Sequence, residues 1–89
     1  MDYFEAILVT IDTLGGKITG RTVLQKILYF ASQIGIVDDT FIPHYYGPYS
    51  ERVYYALMDL VSLNFLDEIE EVTSPYEWKR YSYALTEEG

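Results

Sequence analysis

Cysteine is absent from this chain, which removes disulfide frameworks, thiolate metal sites and cysteine nucleophiles together. Positive charge is nearly as scarce. Six Lys and Arg stand against 14 Asp and Glu, a net charge of −8 over 89 residues. So acidic a chain is repelled overall by nucleic acid and by anionic membrane, and binding to either has to come from local clustering of its few cations. The one histidine, His44, has no thiol beside it to make a zinc site. Nor does it have the Ser-His-Asp spacing or paired acid that a general base needs, so its expected role is packing. No apolar run approaches the roughly 18 residues of a spanning helix, and Asp2 and Glu5 stand where a signal peptide would be positive. Gly15-Gly16-Lys17 lacks the strand-to-helix frame and the following Ser or Thr of a phosphate loop, and Asp67 to Glu71 lacks the calcium-loop pattern. No enzyme, cofactor, metal or membrane span is expected, and the protein reads as soluble and cytoplasmic.

What is present is apolar area: 49% hydrophobic and 17% aromatic residues, enough for one domain with one core. Asp2 and Glu5 form a capping-box spacing before an apolar face of Phe4, Ile7, Leu8, Ile11 and Leu14, and Gly15-Gly16 end that first helix. Lys17 to Thr19 is too short for an independent strand but suits an edge strand given a hairpin partner. A second helix opens at Thr19-Gly20 and stops at Gly35. Its expected inner face is Val23, Leu24, Ile27, Leu28, Ala31 and Ile34, with Arg21, Thr22, Gln25, Lys26, Tyr29 and Gln33 outside. Phe41 to Tyr45 is extended, and Pro43 makes it an edge or a loop.

The chain is organised around His44 to Leu66, an aromatic turn feeding an amphipathic helix. Gly47-Pro48 breaks any helix running through the turn, Ser50 supplies an N-cap and Glu51 a first-turn carboxylate. Val53, Leu57, Leu60, Val61 and Asn64 line the buried face, and Arg52, Tyr55, Asp59 and Ser62 form the opposite stripe. Phe65 to Val72 and Trp78 to Leu85 read as strands around a turn at Thr73 to Glu77. Leu85-Thr86-Glu87-Glu88 is a strand end followed by helix-start chemistry. The expectation there is a fragment of a longer protein or a frayed terminal turn.

The segments LQKILYFAS (Leu24 to Ser32) and HYYGPYS (His44 to Ser50) resemble the two hallmark stretches of YwgA-like winged-helix proteins and, more distantly, of SocA/Panacea-type antitoxin domains. The ending YSYALTEEG (Tyr81 to Gly89) is similar to the second wing strand and exit of many winged-helix regulators. The resemblance implies an α+β, mostly α, winged helix-turn-helix fold: three helices plus a C-terminal β-hairpin wing, with the Ser50 to Leu63 helix in the recognition position. The connection from Gly35 to Ser50 departs from that pattern, being far longer than a tight helix-turn-helix turn.

Two functions from different classes follow. In the first the chain is the double-stranded DNA-binding domain of a homodimeric transcription regulator. Lys17, Arg21, Arg52, Tyr55, Lys79 and Arg80 would be on the duplex, Arg52 at a base edge or phosphate and Lys79 and Arg80 on phosphates from the wing. In the second it is a protein-interaction module, antitoxin-like or dimerising, whose tyrosine corner of Tyr45, Tyr46, Tyr49, Tyr54 and Tyr55 holds a protein partner. The bland alternatives are solvated charges and core-packing tyrosines.

Overall fold

The computed structural model describes residues 1–37, 41–42, 47–72 and 79–87. The first helix, α1 (Tyr3–Thr13), starts as its capping spacing requires: the Asp2 carboxylate accepts from the Glu5 N–H at 2.8 Å. After the short strand β1 (Lys17–Thr19) come α2 (Arg21–Gln33) and α3 (Glu51–Ser62), and then β2 (Leu66–Val72) and β3 (Lys79–Leu85). Helix α3 begins where Ser50 predicts, its hydroxyl accepting from the Val53 N–H.

Each helix closes with the same pair of backbone bonds, one of six residues and one of four, around a left-handed residue at Gly15, Gly35 or Asn64. Asn64 is the informative case. The periodicity places it on the buried face of α3, but it lies just past the helix at φ 66°, exposed, where it reverses the chain into β2. A short amide side chain is among the few besides glycine that tolerate this backbone region.

The three strands form one antiparallel sheet in the order β1-β3-β2. Lys17 to Thr19 thus finds the hairpin partner it needed, pairing Ile18 with Tyr83, and the same register continues across to Glu68. Ile18, Tyr83, Leu66 and Leu85 therefore share the face toward the helices, together with Glu68 and Tyr81. Ser82, on the other face, is covered between Thr19 and Ile69 and donates its hydroxyl to Thr19 Oγ1 at 3.2 Å. Ile7 and Ile11 of α1, Leu24 and Leu28 of α2, and Val53, Leu57 and Leu60 of α3 meet Leu66 and Tyr83 in a single core. Each such side chain contributes about 1.5–3 kcal/mol when removed from water.

The fold is a small α+β domain, more helical than extended among the described residues. Among the described residues, no helix is long and apolar enough to cross a membrane. Thr86, just past β3, donates its hydroxyl to the Asn64 carbonyl and its N–H to the Phe65 carbonyl, tying the end of β3 to the exit of α3. His44, Tyr45, Tyr46, Trp78 and the turn at 73–77 lie outside the described residues.

Helix α2 differs from its expected orientation. Leu24, Gln25 and Leu28 are buried, whereas Val23 and Ile34, expected inside, are exposed. Six apolar residues over 13 positions span more arc than one packing face can cover. The choice of face falls to a polar residue.

Candidate functional site

That residue is Gln25. It is 6% exposed, and its side-chain amide makes two 3.0 Å bonds to the backbone of Ser50: Oε1 accepts from the N–H and Nε2 donates to the carbonyl. A primary amide presents a donor and an acceptor side by side, so it reads a peptide unit as a strand neighbour would. One position on, Lys26 lays its stem against Gly47. A Cβ at Gly47 would stand 3.1 Å from Lys26 Cε, and its φ of 130° is costly for any other residue. The connection is pinched behind this point by reciprocal 2.9 Å backbone bonds between Ile42 and Tyr49, and Phe41 stacks edge-on against Tyr29 of α2. The LQK and GPYS stretches are therefore one structural unit. Together they set the start and direction of α3.

Arg21, the first residue of α2, closes the other end of the same seam. Its Nε donates to the Tyr83 hydroxyl at 2.6 Å, that hydroxyl donates to Glu68 Oε2 at 2.9 Å, and Arg21 Nη2 meets the same carboxylate oxygen at 3.3 Å. The guanidinium stacks 4.1 Å from the Tyr81 ring centre and 5.5 Å from that of Tyr54. One side chain thus joins α2, α3, β2 and β3. Burial pulls the Arg21 pKa down, but the hydrogen bond to Tyr83 and the Glu68 carboxylate outweigh it and leave it above the ordinary value. Burial also pushes the Tyr83 phenol well above its usual range; its bond to Glu68 reinforces this and the one from Arg21 opposes it.

The raised Tyr83 pKa gives a signed pH dependence. As pH rises the unfolded chain loses this proton first, so the contribution of Tyr83 is fully present below its unfolded value of about 10 and is lost above it. Urea unfolding at about pH 9 and about pH 11 is expected to show a larger loss of stability for the wild type than for Tyr83→Phe. Equal losses would exclude this linkage.

Where α2, α3 and the Gly47-Pro48-Tyr49 corner meet there is a cavity of about 380 Å³. Leu24, Val53, Leu57 and Tyr49 supply apolar wall, and Arg21, Thr22 and Gln25 lie along its α2 side. No group of acidic or histidine side chains arranged to hold a metal occurs among the described residues.

The expected duplex-facing residues fall in several places. Arg21 is committed to the internal network just described. Lys17 and Arg80 are exposed on the sheet face turned away from Arg21, and Arg80 stands opposite Glu71. Arg52 and Tyr55 are exposed on α3, in a stripe shared with Asp59 and beside Glu51. The side chain of Lys79 lies outside the described residues. Of the tyrosine corner, Tyr49 and Tyr54 are half-buried and Tyr55 is 62% exposed, its ring edge-on to Tyr54 at 5.5 Å. Burial and the Glu51 charge raise the Tyr49 pKa. What sequence reasoning missed is an apolar row along the outer side of α2: Val23, Phe30 and Ile34 are exposed, Phe30 at 67% and Ile34 at 75%, with Ile27 half-buried between them. The three-and-four spacing carries the signal, but it also suits a core face, to which the sequence assigns Val23, Ile27 and Ile34.

No family model matches this chain, and no solved structure gives a significant match. Uncharacterized protein YwgA of Bacillus subtilis (strain 168) is 36% identical over 86 residues, which is 96% of this chain and 51% of the relative. The YwgA-likeness expected from the two motif stretches therefore holds along nearly the whole sequence. The chain spans about half the length of this curated relative.

Proposed function

We propose that this YwgA-like chain is a winged-helix module that works by holding another protein helix. Support for the winged-helix part comes from the element order and from the β1-β3-β2 sheet, in which a short strand after the first helix joins the second strand of a C-terminal hairpin. The observation that carries the protein-facing part is the outer row of α2. Val23, Ile27, Phe30 and Ile34 recur at four, three and four residues, the spacing with which one helix seats on another. Val23, Phe30 and Ile34 are exposed and Ile27 between them is half-buried; large apolar side chains gathered in one row mark an interaction surface, whereas scattered ones do not. Unlike α1 and α3, this helix carries no acidic residue, so self-repulsion in an acidic chain is least there.

Duplex reading fits less well. The hairpin that would be the wing exposes Asp67, Glu70 and Glu71 on β2, and the outer stripe of α3 carries Asp59 as well as its one arginine. Phosphate contact requires the opposite balance.

Light scattering across a concentration series provides the test, with a second copy of the chain as the first partner. The wild type is expected to exceed the monomer mass as concentration rises. Phe30→Asp with Ile34→Asp should stay monomeric with an unchanged far-ultraviolet spectrum, and Arg52→Glu should associate as the wild type does. Low-salt duplex DNA should not retain the protein. Retention whose log affinity falls by about 0.9 per phosphate contact against log salt, and which Arg52→Glu abolishes, would replace this reading with the regulator.

A further inference from the structure

We propose that the cavity between α2, α3 and the Gly47-Pro48-Tyr49 corner is a binding site for a small monocarboxylate with an apolar body, such as an aromatic or branched aliphatic acid. Its volume of about 380 Å³ lies within the range of small-ligand sites, roughly 300–1,000 Å³. Leu24, Val53, Leu57 and Tyr49 line it with apolar and aromatic surface, which selects the body of the ligand.

Polar capacity left unspent along its rim selects the head. Arg21 has five N–H donors, of which the Tyr83 and Glu68 bonds engage two. The hydroxyls of Thr22 and Tyr54, both on the cavity lining, make no hydrogen bond within the described part of the molecule. All three groups can donate, and a carboxylate accepts from several donors at once. Charge sets the limit at one. Glu68 already offsets Arg21, so any added anion is in surplus there; a monocarboxylate adds one negative charge, which three donors can offset, whereas a phosphate or dicarboxylate adds two.

A titration of the full chain with benzoate, followed by ¹H–¹⁵N NMR, tests this, with benzamide as the uncharged match in shape. Benzoate is expected to produce saturable millimolar shifts at Thr22 and Tyr54, and benzamide at least tenfold weaker ones. Thr22→Val and, independently, Tyr54→Phe should each weaken benzoate about tenfold, the loss of one bond to a charged group. Glu68→Gln keeps an acceptor for Arg21 and removes the opposing charge, so it should tighten benzoate several-fold. The Phe30→Asp, Ile34→Asp protein should bind benzoate unchanged, which separates this site from the α2 partner surface. Absence of saturation, equal binding of benzamide, or indifference to both Thr22→Val and Tyr54→Phe overturns the assignment.

Discussion

Gln25→Leu is expected to cost about 2–3 kcal/mol and, for a domain of this size, to lower the Tm by roughly 10–20 °C. The size of the effect comes from what is left behind. Leucine fills the space but leaves the Ser50 N–H in a 3% exposed position without its acceptor. The Ser50 carbonyl still receives the first helical bond from Tyr54, so one orphan remains, not two. A second substitution gives the same bond a pH signature. In Gln25→Glu the protonated acid can both donate to the Ser50 carbonyl and accept from its N–H, whereas the buried carboxylate can only accept. Its folded pKa therefore lies above the unfolded value of about 4.3, and the stability it supplies is present below that pH and lost as pH rises through the folded value. Thermal melts of the three proteins across the acid range check both statements. Gln25→Leu melting within about 2 °C of the wild type would show that Ser50 is held by something else.

How much of this was legible beforehand depended on how far apart the interacting residues lie. The Asp2 cap, the Gly15 stop and the Ser50 cap are events within a few residues of chain, and the sequence predicts each where it occurs. The inward turn of Gln25 is an event between residues 25 apart. Periodicity ranks residues by apolarity, so it placed a glutamine outside and Val23 and Ile34 inside. A pair of backbone bonds reversed that order. Asn64 was misplaced for a related reason: a helical count continued one residue too far assigns a face to a residue whose job is to end the helix.

The hairpin tells the same story through register. The acidic strand has no alternation by which to fix its pairing, and only the Glu68–Tyr83–Ile18 alignment shows that Glu68 belongs to the helix-facing side. An acid turned inward needs a cation, and the cation comes from 47 positions away. Arg21 is a candidate for phosphate in the sequence because it opens α2, a duplex-facing position in the winged-helix fold that the chain resembles. Its partners account for it fully without DNA.

Arg21→Leu is accordingly expected to destabilise the domain by about 2–3 kcal/mol, the sum of one hydrogen bond to Tyr83, a stacking contact on Tyr81 and a weak ion pair. The pair itself contributes least: the side chains are 35% and 28% exposed, and water screens them. Geometry contributes more. Arg21→Lys keeps the charge but not the planar fork, and it should recover less than half of the loss. A double-mutant cycle with Glu68→Gln isolates the ionic share, expected at under about 1 kcal/mol, from the remainder. Urea unfolding at neutral pH supplies all four values. If Arg21→Lys were as stable as the wild type, bare charge would be sufficient at this position, and the planar stacking that joins α2 to the hairpin would carry no weight. If Arg21→Leu were neutral, the network with Tyr83, Glu68 and Tyr81 would not be what holds the guanidinium. The strongest electrostatic objection to a duplex partner, that its best-placed cation is held inward beside Glu68 and Tyr83, would fall with it.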